Sequence, residues 1–250
     1  MTMNGIVNLY KPAGVGSRRA VDRVRHELGF VKAGHGGTLD RLAEGVLLVL
    51  LGRATRLFET IRTWHKRYEA RIRLGATSVT DDAEGPIEPQ ENVQPVAKER
   101  IATLLDEFLG TISQVPPSAS AVHVSGRRAH HLLREGEKPL LSPRRVLVYD
   151  LQILDYHWPD LTLTVECGGG FYLRSLARDL GERLGTGGYL SALRRTRIGS
   201  FDLRDSLSYD DLSPEILKKH LENRVQSSII PPVQRGGGNQ QSLFIPGGEP

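Results

Sequence analysis

The spacing of apolar residues predicts an α+β fold, with a mixed, largely antiparallel sheet flanked by helices. Three observations lead there. Residues 66–74 alternate, with Tyr68, Ala70, Ile72 and Leu74 facing one way and Arg67, Glu69, Arg71 and Arg73 the other, the period of a half-buried strand. Residues 18–28 instead place Ala20, Val21, Val24 and Leu28 on one side, the period of a helix. Strand-like and helix-like stretches then mix without a steady βαβ beat, which disfavours an all-parallel sheet.

Taken in order, residues 6–10 read as a short strand stopped by Lys11 and Pro12. A helix over 18–28 leads to the glycine-rich loop 34–37 and to Asp40, followed by an apolar strand over 46–51. Residues 54–64 look helical, 66–74 extended, and the polar, acidic stretch 77–94 reads as a loop. A helix over 96–109 precedes the break at residues 114–117, a short strand over 121–124 and a basic helix or excursion over 126–138. Strands over 146–156 and 161–167 lead to Gly168-Gly169-Gly170, a helix over 171–184 and a further helical stretch over 189–195. The last twenty residues hold four prolines and five glycines, too many for a packed element.

The 250 residues suffice for a full core, and 39% hydrophobic with 25% charged residues is ordinary for a globular protein. A net charge of +4 with arginines in four groups favours a polyanionic partner such as nucleic acid. Cys167 is the only cysteine, and the eight histidines lack zinc-site spacing, so neither a disulfide framework nor a zinc site is expected. The amino terminus does not read as a signal peptide, and the apolar run 46–51 is too short to span a membrane. A soluble, cytoplasmic protein is the expectation.

The stretch GHGGTLDRLAEGVL poses the functional question: why does a carboxylate, Asp40, stand where a glycine-rich bend gives way to a buried strand? Taken alone it could be a nucleophile, a metal ligand, a phosphate-loop neighbour or a turn former. The P-loop and dinucleotide spacings both fail here. A second glycine run, ECGGGFYLR, opens a helix, which suits either anion binding or a tight turn. Arg174 within it sits among leucines and needs an anionic partner, for which Asp40 is the best candidate.

Five blocks resolve the ambiguity: GIVNLYKPAGVGS, AGHGGTLDRLAEGVLLV, KRYEARIRLGATSVTDDAEG, QVPPSASAVHVSGRR and CGGGFYLRSLARDLGERLG. In this order they resemble the TruB-type tRNA pseudouridine synthases. The resemblance implies the pseudouridine synthase fold and isomerisation of uridine 55 in the T loop of tRNA, with the target nucleotide flipped out. It implies Asp40 as the catalytic carboxylate, Arg174 as its partner, and Tyr68 as the tyrosine that stacks on the base. It assigns Leu193 and Tyr172 to the pocket, Lys11 to the turn beneath it and His35 to support of the flipped loop. Residues 114–140 correspond to an insertion that closes over RNA, with Arg127, Arg128, His130, His131 and Arg134 as phosphate contacts. No metal or other cofactor is implied, and no obligate protein partner, so a monomer is expected. The catalytic domain would occupy residues 1–225. Residues 226–250 would form a flexible tail without a C-terminal RNA-binding domain.

The pattern is broken at named places. Arg41 stands for the family's proline, Glu44 and Gly36 for threonines, Ala119 for a tyrosine and His123 for a lysine. Arg41 and Glu44, three residues apart, are expected to pair and restore stiffness. The departures leave open a second class, a tRNA-binding folding chaperone with little catalysis.

Overall fold

The chain begins with β1 (Gly5–Lys11), α1 (Ser17–Glu27), β2 (Ala33–His35), β3 (Glu44–Leu51), α2 (Phe58–Thr63) and β4 (Lys66–Leu74). A small hairpin, β5 (Ala76–Ser78) and β6 (Ile87–Pro89), interrupts the expected loop before α3 (Lys98–Leu105) and β7 (Gly110–Gln114). The next segment holds β8 (His123–Val124), β9 (Arg127–Arg128) and α4 (Ala129–Arg134). The long hairpin β10 (Arg144–His157) and β11 (Asp160–Cys167) leads to α5 (Leu173–Leu184) and β12 (Gly188–Ile198). Finally come β13 (Phe201–Asp202), β14 (Leu207–Ser208) and α6 (Pro214–Gln226). This computed structural model describes residues 3–226 apart from 121, 125 and 138, so most of the expected tail lies outside the described residues.

A ten-stranded sheet organises the molecule in the order β14-β1-β3-β12-β4-β11-β10-β7, with β2 on β3 and β13 on β12. Among the strand pairs of the described residues, only β1–β14 and β3–β12 are parallel. The unbroken apolar run of β3 follows from cover on both faces, as buried strands require. Leu47, Val49 and Leu51 pack with α1 and α6, while Val46, Leu48 and Leu50 pack with Ile61 and Phe201. By contrast, β4 buries one face only. Tyr68, Ala70, Ile72 and Leu74 join the main core with α3 and α5, and Arg67, Arg71 and Arg73 stay exposed.

The helix expected over 189–195 is instead the strand β12, paired with β4 on one side and with β3 on the other. Two register shifts, between Leu190 and Ala192 and between Arg195 and Arg197, explain the misreading. The buried positions are Gly188, Tyr189, Leu190, Leu193, Arg195 and Ile198, so the period of two is lost to bulges. Two further elements, β7 and α6, also carry too little local pattern to be anticipated. Among the described residues no helix is long and apolar enough to cross a membrane.

Candidate active site

The parallel contact between β3 and β12 covers only Glu44–Arg194 and Gly45–Arg195, so residues 36–43 leave the sheet as a loop at its end. That loop is held along its length. Gly36 N–H donates to the Leu48 carbonyl, Ser17 bonds both main-chain groups of Leu39, and the Gly14 N–H donates to the Arg41 carbonyl. Buried Lys11 donates its ammonium to the carbonyls of Pro12, Val15 and Ala43. Burial holds its pKa down at about 8. Gly36 shows why threonine is absent there: a Cβ would lie 2.6 Å from Cγ2 of Ile61.

The start of α5 is fixed as firmly. The Gln114 side chain accepts from the Tyr172 N–H and donates to its carbonyl, and the Ser175 hydroxyl donates to the Val115 carbonyl. This aims Arg174, buried at 6% exposure, toward the loop. Its Nε lies 3.1 Å from Oδ2 of Asp40, and its Nη1 lies 3.4 Å from Oδ2 of Asp82. Nη1 and Nη2 also donate to the Ala119 carbonyl at 3.3 Å. Because that bond uses main chain, alanine in place of tyrosine leaves it available.

One guanidinium therefore bridges two carboxylates. Asp82 is 2% exposed and further satisfied by the Thr80 hydroxyl at 2.6 Å and the Glu84 N–H at 3.0 Å. Asp40, with a side chain 36% exposed, lines the cavity together with the more buried Asp82 and with Glu84. The Arg174 guanidinium is thus the counter-ion shared by Asp40 and Asp82.

The cavity has a volume of about 540 Å³. Asp40, Tyr68, Arg174, Tyr172 and Leu193 all line it, brought together from three separate elements and the loop. Ala119, Ser120 and Leu133 reach it from the segment 114–140. Burial pushes the Tyr68 phenol up to about 12, against the pull of the Arg195 guanidinium beside it, so the phenol is neutral near pH 7. Burial also raises Tyr172.

Three sequence-derived candidates lie elsewhere or are otherwise engaged. His35 lines a separate cavity of about 500 Å³ with Arg18, Lys32 and Phe58, and burial lowers its pKa. Lys11 is under the loop rather than in the cavity. Arg127 pairs with Glu135 and with Glu137, the latter at 3.2 Å. The side chains of Arg128, His130, Arg134 and His123 lie outside the described residues. Sequence reasoning missed Asp82, hidden among the many carboxylates of residues 77–94, and Arg195, hidden in a strand read as helix. Among the described residues no three His, Cys, Asp or Glu side chains gather as a metal site.

Arg41 and Glu44 do not pair, contrary to expectation. Arg41 donates to the Gly14 carbonyl at 3.2 Å and stands 4.0 Å from Glu84. Glu44 accepts from the Tyr10 hydroxyl at 2.8 Å and pairs with Arg194 at 2.6 Å. Partial burial raises its pKa, but these two bonds outweigh it and the net shift is downward.

In fold the chain is a pseudouridine synthase. It superposes on the chain of a Cbf5-Nop10-Gar1 complex with a TM-score of 0.65 at 32% identity, covering 83% of this chain and 53% of that one. A second neighbour, an H/ACA RNP bound to a substrate RNA containing 2'-deoxyuridine, gives a TM-score of 0.62 at 30% identity. This chain thus spans about half the length of those solved chains. The sequence matches the TruB family pseudouridylate synthase N-terminal domain over residues 25–173 and the tRNA pseudouridylate synthase B C-terminal domain over 174–235. It is 43% identical over 245 residues to the tRNA pseudouridine synthase B of Acaryochloris marina, covering 97% of this chain and 81% of that protein. The Dehalococcoides mccartyi (strain ATCC BAA-2266 / KCTC 15142 / 195) tRNA pseudouridine synthase B is 40% identical over 230 residues, covering 92% and 75%. The chain belongs to the TruB family of pseudouridylate synthases.

Proposed function

We propose that this chain converts uridine to pseudouridine in tRNA, at position 55 of the T loop, with Asp40 as the catalytic carboxylate. The observation that carries the reading is the Asp40–Arg174 pair at the cavity. The reaction breaks the N1–C1′ bond, turns the uracil, and joins C5 to C1′, with the C5 proton lost and one gained at N1. It balances without a co-reactant. Attack on C1′ and proton removal at C2′ both require a carboxylate held close to the sugar, and Arg174 pairs with Asp40 at 3.1 Å at the cavity. Tyr68, neutral and apolar-faced, packs against the base. Leu193 and Tyr172 complete the walls. The uridine must leave its stack to enter, as for other enzymes that act on bases.

In this reading residues 1–225 form the catalytic unit, and the segment 114–140 closes over the RNA, with Arg127 and Arg128 toward its phosphates. His35 supports the extruded loop. The protein acts as a cytoplasmic monomer on the tRNA T arm.

The test uses an unmodified tRNA transcript, mapped for pseudouridine at each position after incubation. Wild type should modify the T-loop site alone. Asp40→Asn should yield no product yet still shift tRNA in a gel. Product from that variant at the wild-type rate would remove Asp40 from its role. Tight wild-type binding without product, even at equimolar protein, would make the chain an RNA-binding chaperone.

A further inference from the structure

Arg195 is a fully buried cation, 1% exposed, with no ion pair among the described residues. Such a group is costly unless its donors are satisfied. Its side chain donates to main-chain carbonyls around the site: Nε to Val46 at 2.8 Å, Nη2 to Gly37 at 3.2 Å and Nη1 to Thr38 at 3.4 Å. Val46 lies near the start of the buried part of β3, whereas Gly37 and Thr38 immediately precede Leu39 and Asp40.

The register of β12 explains how one side chain reaches both places. Arg195 lies opposite Gly45 on the β3 side and opposite Tyr68 on the β4 side. Gly45 has φ +106°, and a Cβ there would lie 2.3 Å from the Arg195 carbonyl oxygen, so the two main chains touch. The guanidinium is next to the Tyr68 phenol. Lys11 holds the Ala43 carbonyl on the far side of Asp40. The loop is thus bracketed by two buried cations, of which Arg195 is the one that also abuts Tyr68.

We propose that Arg195 is a positioning residue for the isomerisation, fixing the Asp40 loop relative to Tyr68 through the carbonyls of Gly37 and Thr38. This rests on the reading above that Asp40 and Tyr68 meet the substrate. A planar fork suits the task because it can serve several acceptors in fixed directions, which a lysine ammonium cannot reproduce. Small displacements at a reacting carboxylate have large kinetic effects, of order 100-fold for about 1 Å.

The experiment compares wild type, Arg195→Lys and Arg195→Met by single-turnover pseudouridine formation, tRNA affinity in filter binding, and melting temperature. Arg195→Lys should react on the order of tenfold more slowly, and Arg195→Met more slowly still, with tRNA affinity within about twofold of wild type. A folded Arg195→Lys protein with the wild-type rate would overturn the proposal, as would a rate loss explained wholly by weaker binding. If neither variant folds, an ester in place of the Gly37–Thr38 amide weakens the Gly37 acceptor while leaving Arg195 in place. That form should also slow turnover at unchanged affinity, and a wild-type rate in it overturns the proposal. A wild type that forms no product would instead refute the underlying reading of Asp40 and Tyr68.

Discussion

Arg41 and Glu44 stand three residues apart beyond Asp40, yet each is engaged with a different part of the molecule. Arg41 ties the loop to Gly14 and approaches Glu84, while Glu44 joins Tyr10 to Arg194. Since they share no partner, their replacement should be additive rather than compensatory. The measured loss of transition-state stabilisation in Arg41→Pro with Glu44→Thr should equal the sum of the single losses within about 0.5 kcal/mol. A double variant faster than Glu44→Thr alone would show coupling that these contacts do not provide. Two other departures have local explanations. Gly36 leaves room for Ile61, and Ala119 contributes a carbonyl to Arg174 whatever its side chain.

At the scale of elements, α6 shows how a weakly patterned helix becomes part of the core. Leu217, at 0% exposure, and Leu221 pack with Val7, Leu9 and α1 on the outer face of β1 and β3. Leu217→Ala should therefore destabilise the protein by about 2–5 kcal/mol in urea unfolding. Its place in a different cluster from Tyr68 and Leu193 predicts an unchanged single-turnover rate for the folded fraction. A stability change below about 0.5 kcal/mol would mean that α6 is not docked as described.

For the whole molecule, the basic balance of 33 Lys and Arg against 29 Asp and Glu matters through its effect on RNA. Many of these arginines are paired internally, Arg174, Arg178 and Arg194 among them. Phosphate contacts therefore fall to the remaining exposed ones. The logarithm of tRNA affinity should fall linearly with the logarithm of salt, by roughly 0.7 to 0.9 per phosphate neutralised. Gel-shift titrations across a salt series read the slope directly, and an affinity independent of salt would contradict an electrostatic interface.

Local order in the chain was enough for much of this architecture. The strict alternation of β4, the apolar run of β3 and the helical spacing of α1 and α5 each encode one element's burial in its own residues. The block around Asp40 and the FYLR stretch likewise marked both halves of the ion pair. Tertiary structure alone decided where charges found partners. It gave Arg174 a second carboxylate in Asp82, turned Glu44 from Arg41 to Tyr10 and Arg194, and set Arg195 beneath the loop. It also made residues 188–198 a strand, because pairing on both sides fixes their backbone while two bulges erase the period that would announce it. Periodicity reports which face of an element is buried. The partner met on that face comes from distant chain, and no spacing within the element specifies it.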